Sequence, residues 1–434
     1  MRGLTGNILR TFSTQVPSII ISIISGVFLT RLLGAEGKGI YAIFFANMEI
    51  MVMIFAMGCD MGIIYFGSNK KISQEKLQAI SIGTLAFSLP LLLLVLLTFK
   101  SEPIFPEGYN DLYFRMFLFG IFALTMLNTF FGAFLKAIKK FKPINRIALA
   151  NSVLNLSVFS ILFYLNSAGV VIVTIKLIFT VSLSIMALNT LLWSISFIKN
   201  INLKPDFSLS IKDDVLKFFK YIWPVFISII INFFNYRLDI WIVAHYKGTL
   251  QLGLYVLAVN FAQFILLYSK IIGSVMMPYL SEDDVEKRKK TFTTYSRINF
   301  TSVVLMVLLL YLFGKYLIRW LYGVEFTESV APFNILIIGI LFSAMSQLFS
   351  IMLFSKGKNN VALIANSLGL ISTVIFDLLL IPKYGITGAA IATSISYFVL
   401  FLFLFYHLIK KEKLSFKTLF ILRTQDLKTI FSED

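Results

Sequence analysis

Residues 78–99 read QAISIGTLAFSLPLLLLVLLTF, a run of 22 residues without one charged side chain. A helix of about 20 apolar residues is long enough to cross the hydrocarbon core of a bilayer. Eleven further segments of similar length and polarity lie on either side of this run. Together they predict an all-α integral membrane protein with about 12 transmembrane helices. The predicted spans are residues 11–33, 40–67, 78–99, 112–138, 143–166, 170–198, 221–246, 252–280, 300–321, 331–354, 361–381 and 385–409.

The composition excludes an ordinary soluble fold. Of the 434 residues, 58% are apolar and 14% are charged, against roughly 25% charged residues in soluble domains. A membrane β-barrel is excluded because its strands would be about half as long and would alternate polar with apolar residues. The net charge of +17 comes from basic residues between the apolar runs, which indicates membrane topology and not nucleic-acid binding. The single cysteine, Cys59, excludes an internal disulfide and a cysteine-cluster metal site.

The positions of Lys and Arg predict the orientation of the chain. If the N-terminus is cytoplasmic, 28 of the 39 Lys and Arg residues fall in cytoplasmic segments, 8 fall outside and 3 lie within helices. Cytoplasmic loops carry an excess of Lys and Arg, so both termini are predicted to lie in the cytoplasm. The first apolar run is long for a signal peptide and is interpreted as a retained membrane helix.

An internal repeat divides the chain into two halves. Gly39-Ile40-Tyr41 and Gly253-Leu254-Tyr255 each open a predicted helix and lie 214 residues apart. The tripeptide Ala-Asn-Ser at 150–152 and again at 365–367 repeats at an offset of 215. Six helices per half is an even number, so the halves form two parallel six-helix bundles, an arrangement typical of transporters. The predicted domains are an N-terminal bundle at 1–198, a cytoplasmic linker at 199–220, a C-terminal bundle at 221–410 and a cytoplasmic tail at 411–434.

Polar side chains within the predicted helices are the candidate functional residues, because an ionisable group costs roughly 2.5–3.5 kcal/mol at the centre of a membrane helix. At about 100° per residue they gather on faces of the first, second, seventh and eighth helices, which we expect to line a hydrated cavity for an anionic substrate. Asn366, Thr373 and Asp377 share a face of the eleventh helix. The candidates for the cavity are Arg31, Glu49, Asp60, Asn232, Asn235, Arg237, Asp239, Asn260, Gln263 and Lys270.

These charges have a structural alternative, in which Asp239 pairs with Lys270 or Glu49 pairs with Arg237. The sequence carries no phosphate-binding loop, no Gly-rich dinucleotide fingerprint and no histidine pair. It therefore predicts a protein that is not an enzyme and that has no cofactor and no metal site.

Several stretches resemble one family. Residues 381–393, IPKYGITGAAIAT, resemble the signature that polysaccharide flippases (Wzx-type O-antigen and capsule-unit transporters) carry between helices eleven and twelve. This family belongs to the superfamily that includes the multidrug and toxin extrusion pumps. LTRLLG at 29–34 and GKGIY at 37–41 are similar to its first-loop pattern. LKFFK at 216–220 is similar to its entry into helix seven, and Asp239 matches a frequent acid there.

The resemblance implies a flippase of the bacterial inner membrane. Such a protein moves undecaprenyl-diphosphate-linked oligosaccharide repeat units to the outer leaflet by alternating access, for O-antigen or capsule synthesis. A diphosphate favours Arg and Lys, here Arg31, Arg237 and Lys270. A coupling proton or Na⁺ is expected at Glu49, Asp60 or Asp239. The side chains expected beside the headgroup are Asn232, Asn235, Asn260 and Gln263.

Three alternatives stay open from the sequence. An H⁺- or Na⁺-coupled drug or cation antiporter of the same fold would have an acidic cavity, whereas the candidate residues are mixed in charge. A lipid II flippase would carry extra helices beyond twelve. A membrane polysaccharide polymerase would need a large outside loop, and the longest one predicted is residues 100–111. The expected partners are lipid-linked oligosaccharide and membrane lipids. A complex with a polymerase stays open, and nucleic acid is not expected to bind.

Overall fold

The computed structural model describes residues 2–98, 105–208, 211–280 and 284–426, with side chains from residue 17 onward except at positions 211 and 278. The predicted outside loop at 100–111 and the tail at 411–434 thus lie partly outside the described residues. All regular elements of the described residues are helical. They are α1 (Arg2–Ala56), α2 (Cys59–Ser68), α3 (Gln74–Thr98), α4 (Leu112–Ala137), α5 (Phe141–Ser167), α6 (Ile175–Asn200), α7 (Ile211–Leu280), α8 (Val285–Tyr322), a 3₁₀ helix (Val324–Ser329), α9 (Val330–Ser355), α10 (Asn359–Glu412) and α11 (Phe416–Phe420).

Three of the helices are double spans. Within the described residues nine helices are long and apolar enough to cross a membrane, and α1, α7 and α10 contain 55, 70 and 54 residues. Each of the three has one glycine with non-helical backbone angles: Gly34 (φ 65°, ψ −176°), Gly248 (φ 78°, ψ 177°) and Gly385 (φ 59°, ψ −139°). These angles are open to glycine almost alone. The described chain therefore contains twelve spanning segments, and the predicted all-α membrane fold is confirmed.

The second predicted span, residues 40–67, is interrupted in the structure. Met57 (φ 48°) and Gly58 (φ 76°) both adopt left-handed backbone angles, so α1 ends at Ala56 and α2 begins at Cys59. Glycines such as Gly58 are tolerated inside membrane helices, and the polar Asp60 that follows does not by itself end a helix, so the sequence predicts one continuous span here.

The described chain forms two compact units. The N-terminal unit contains residues 18–33 and 40–233, and the C-terminal unit contains residues 2–17, 34–39 and 234–426. Residues 34–39 thus belong to the first repeat in the sequence but to the C-terminal unit in the structure. The predicted domain boundaries at 198 and 221 stay a prediction.

The core of the N-terminal unit is rich in phenylalanine. Phe44, Phe114, Phe117 and Phe179 are buried, and the ring of Phe179 lies 5.0 Å from that of Phe44 and 4.6 Å from that of Phe117 between centroids. These separations suit edge-to-face and offset-stacked rings, which add to the stability from apolar burial.

The core of the C-terminal unit extends from the membrane helices to the tail. Phe349 on α9 packs against Phe401 on α10, with ring centroids 5.8 Å apart. Phe420 on α11 lies 5.6 Å from the ring of Phe405 and is itself buried. The short tail helix is therefore part of this core.

The outward faces of the long helices expose large apolar side chains. Leu94 on α3 is 58% exposed, Leu312 on α8 is 63% exposed and Trp320 is 74% exposed. Such surface is unfavourable in water and is the normal boundary of a protein in lipid. The chain is a multi-pass membrane protein.

Candidate functional site

A polar cluster lies in the interior of the C-terminal unit. Asn235 and Asp239 stand four residues apart on α7, so they project from the same helix face, and they are 4% and 6% exposed. Thr373 and Asp377 have the same spacing on α10 and are likewise buried. The polar cluster comprises Asn235, Asp239, Tyr255, Thr373, Asp377, Thr393 and Ser396.

One branch of the polar cluster is a chain of hydroxyl groups that ends on a carboxylate. The Tyr255 hydroxyl donates to Oδ2 of Asp239 across 2.5 Å. The same hydroxyl lies 3.1 Å from Oγ1 of Thr393. All three residues are buried, so the short bond holds Asp239 in a fixed place between the two arms of α7 and the second arm of α10.

The other branch is centred on the amide of Asn235. Its Oδ1 accepts hydrogen bonds from Thr373 at 3.1 Å and from Ser396 at 3.2 Å. Ser396 also bonds Thr373 and the carbonyl of Gly369, both at 2.8 Å. The Nδ2 group of Asn235 is buried without a hydrogen-bond partner. The hydrogen bonds to Oδ1 thus fix the orientation of the Asn235 amide, and Nδ2 can still donate to another acceptor.

Asp377 is the least satisfied member of the polar cluster. It has no exposed surface, and neither carboxylate oxygen has a hydrogen-bond partner. Asp239 is the second buried carboxylate of the polar cluster. Burying one unpaired carboxylate is costly and burying a second in the same cluster is more so. The arrangement is therefore suited to a proton or a small hard cation, which would satisfy the oxygens and neutralise their charge.

The other predicted site residues lie elsewhere. In the C-terminal unit, Arg237, Asn260 and Gln263 are half-buried and Lys270 is exposed. The partner of Asp239 is the Tyr255 hydroxyl and not Lys270. Four predicted residues lie in the N-terminal unit. Arg31 and Asn232 are exposed, and the Arg31 guanidinium lies 5.9 Å from the centre of the Phe163 ring. Glu49 and Asp60 are half-buried.

Asn235 and Asp239 were predicted as site residues from the sequence, whereas most of the residues that contact them were not. Thr373 and Asp377 carry a signal, since two polar residues at a four-residue spacing interrupt an apolar helix. Tyr255 stood out only as part of the repeated tripeptide, and nothing local distinguishes its hydroxyl from that of Tyr41. Thr393 and Ser396 are small polar residues of a kind that membrane helices tolerate anywhere.

The fold is similar to that of solved membrane transporters. An inward-facing multidrug resistance transporter of the MATE family aligns with a TM-score of 0.70 and 15% identity, over 91% of this chain and 96% of that one. A lipid II flippase in an inward closed conformation aligns with a TM-score of 0.71 and 17% identity, over 97% and 90% of the two chains. At this identity the similarity concerns the fold alone.

Two relatives at the sequence level have names that refer to glycan biosynthesis. A capsular polysaccharide biosynthesis protein of Staphylococcus aureus is 30% identical over 148 residues, which is 32% of this chain and 36% of the relative. A probable low-salt glycan biosynthesis flippase of Haloferax volcanii is 22% identical over 214 residues, 48% and 44% of the two chains. The matches thus span less than half of these relatives. Residues 4–283, well over half of the chain, match the family described as polysaccharide biosynthesis protein. The chain belongs to the polysaccharide biosynthesis protein family.

Proposed function

We propose that this protein is a flippase that moves an undecaprenyl-diphosphate-linked oligosaccharide repeat unit from the cytoplasmic to the outer leaflet of a bacterial inner membrane. The observation that carries the proposal is the occurrence of a transporter fold in a member of a polysaccharide biosynthesis family. Surface polysaccharide is built from lipid-linked units, and their polar headgroups cannot cross hydrocarbon unaided. A transporter dedicated to this step therefore fits both findings.

The headgroup is assigned to the cationic and amide side chains that the sequence singled out. Arg237 and Lys270, in the C-terminal unit, would bind the diphosphate, because charge-assisted hydrogen bonds to phosphate are strong, and Arg31 stays a separate candidate in the N-terminal unit. Asn260 and Gln263 are half-buried and offer donors and acceptors to sugars, as does the exposed Asn232. The remaining amide, Asn235, is buried against Thr373 and Ser396, and we assign it to the polar cluster.

The driving force is assigned to the polar cluster. Asp239 and Asp377 would share a proton or one Na⁺ whose binding and release are linked to the transport cycle. Glu49 and Asp60 stay candidates for a second cation in the N-terminal unit. The proposed activity is transport without catalysis. Both chain termini are proposed to lie in the cytoplasm. A complex with a polymerase stays a proposal.

A cation-coupled antiporter for drugs is the second candidate, because a buried acid pair would serve that function equally well. The two functions predict different phenotypes when the gene is deleted in its host. A flippase deletion should remove surface polymer and trap lipid-linked oligosaccharide in the cytoplasmic leaflet. Normal surface polymer together with increased sensitivity to cationic drugs would support the antiporter instead.

A further inference from the structure

Two short segments at equivalent positions of the internal repeat cross each other inside the C-terminal unit. One is Gly34–Gly39, and the other contains Thr249 and Gly253. A Cβ atom at Gly39 would lie 1.8 Å from the carbonyl oxygen of Thr249. A Cβ atom at Gly253 would lie 1.8 Å from the carbonyl oxygen of Ala35. Both distances are far below van der Waals contact, so the two helix starts touch backbone to backbone.

The crossing is symmetric within the repeat. Ala35 and Thr249 are 214 residues apart, as are Gly39 and Gly253, which is the offset of the repeated tripeptides. The glycine turns at Gly34 and Gly248 have the same offset and nearly the same backbone angles. Each repeat thus supplies a glycine turn, a carbonyl and, four residues later, a second glycine that receives the other repeat's carbonyl.

One carboxylate fixes the crossing from one side. Oε1 of Glu325, on the 3₁₀ helix, accepts a hydrogen bond from the backbone N–H of Ala35 at 2.6 Å. This N–H belongs to the first turn after Gly34, where helical N–H groups have no partner within the helix and an anion is favourable. The same carboxylate lies 3.1 Å from the Cβ position of Gly34, so a side chain there would crowd it, and the φ of 65° independently favours glycine.

We propose that Gly34–Gly39, Thr249, Gly253 and Glu325 form a glycine clasp that is closed in this structure and opens during each transport cycle. The inference rests on the proposed transport function, because alternating access rearranges one repeat against the other. We expect a contact between equivalent helix starts of the two repeats to open in such a rearrangement. Its composition suits repeated opening, since backbone contact and a single capping carboxylate bury little side-chain surface.

The clasp is tested by thiol accessibility in the whole chain, purified and reconstituted in lipid nanodiscs. Cys59→Ala removes the native thiol, and Ala35→Cys provides a reporter at a position that is 1% exposed. Nanodiscs expose both membrane faces, so the orientation of the chain does not affect labelling by a water-soluble maleimide. No substrate is added, and failure of the flippase proposal would therefore leave this measurement unchanged.

Gly39→Ala and Gly253→Ala should each label about tenfold faster than the parent, because the added methyl group prevents closure and shifts the population to the open form. Gly26→Ala is the matched control, since nothing lies within 4 Å of its Cβ position, and it should label like the parent. Labelling of both clasp variants at the parent rate would overturn the proposal.

Glu325→Ala gives an independent result if the glycine variants do not fold. It removes the cap and adds no volume, so labelling should increase severalfold, while Glu325→Gln keeps an acceptor oxygen and should fall between Glu325→Ala and the parent. A labelling rate of Glu325→Ala equal to that of the parent would contradict the proposed role of the cap.

Discussion

Asp377 is fully buried, and both of its carboxylate oxygens lack a hydrogen-bond partner. A residue of this kind is a net cost to folding unless a ligand compensates it. Asp239, the other carboxylate of the polar cluster, accepts a 2.5 Å hydrogen bond from the Tyr255 hydroxyl. This bond opposes a simple rotation of the Asp239 side chain. The cost is most readily explained by a cation that binds the folded protein.

Cation binding to the polar cluster predicts a ligand-dependent stability. A ligand that binds only the folded state raises the unfolding temperature with its concentration. Added Na⁺, or added protons if the coupling ion is H⁺, should therefore raise the unfolding temperature of the wild-type protein in a thermal-shift assay. Asp377→Asn, which keeps the shape and removes the charge, should abolish that dependence. The matched control is Asp213→Asn at the exposed start of α7, which should behave like the wild type.

A cation-dependent shift of equal size in Asp377→Asn and in the wild type would place the cation elsewhere. Glu49 and Asp60 would then be the next residues to neutralise.

At the scale of elements, the tail is bound to α8 by a buried ion pair. Arg297 donates to Asp426 through Nε at 2.7 Å and through an Nη at 2.6 Å, and it also bonds the carbonyl of Thr418 at 2.8 Å. Ser296 adds a bond to the carbonyl of Leu419 at 3.1 Å. Both charged side chains are about 95% buried, so the pair is largely shielded from solvent.

Loss of this ion pair should release the tail. Removing one partner of a buried pair costs about 3–5 kcal/mol, so Asp426→Asn should strongly accelerate amide hydrogen exchange in residues 414–426. Asp111→Asn is the matched control, because its ion pair with Lys176 is half-exposed and screened by solvent. Unchanged exchange in Asp426→Asn would show that apolar contacts of α11 hold the tail alone.

The same ion pair predicts how tail docking depends on pH. Burial acts to raise the pKa of Asp426, but hydrogen bonds from Arg297 and from the Arg423 backbone outweigh it and hold the pKa below its ordinary value. The stability contributed by Asp426 is therefore present above the unfolded pKa of about 3.9 and is lost as the pH falls through the lower folded value. Protection of the tail amides, measured relative to their intrinsic exchange rate at each pH, should stay high at neutral pH and fall only in strong acid. Release of the tail near pH 6 would contradict this.

At the scale of the whole molecule, apolar runs and the internal repeat predicted the membrane fold because lipid imposes length and polarity on every span. The offset of 214 residues reappears in the glycine turns and in the glycine clasp. The break at Met57 and Gly58 could not be predicted, since an isolated glycine is tolerated inside a membrane helix. The polar cluster was found only in part, because its members come from four stretches of chain that packing alone brings together.

The predicted orientation can be tested on the intact chain. The excess of Lys and Arg on one side predicts that both termini are cytoplasmic. A fluorescent protein fused to either end should fluoresce, and alkaline phosphatase fused to either end should be inactive. The opposite result at both ends would invert the topology, and a difference between the ends would contradict the even number of spans.

The most direct measurement is lipid flipping by the purified protein. Liposomes are prepared with undecaprenyl-diphosphate-linked oligosaccharide from the host, and a membrane-impermeant glycosidase is added outside to digest the units in the outer leaflet. With wild-type protein and an imposed H⁺ or Na⁺ gradient, digestion should pass beyond the outer-leaflet share towards completion, and Asp377→Asn should lose the response to the gradient. Digestion that stops at the outer-leaflet share, as in protein-free liposomes, while the same liposomes transport a cationic drug, would contradict the flippase function.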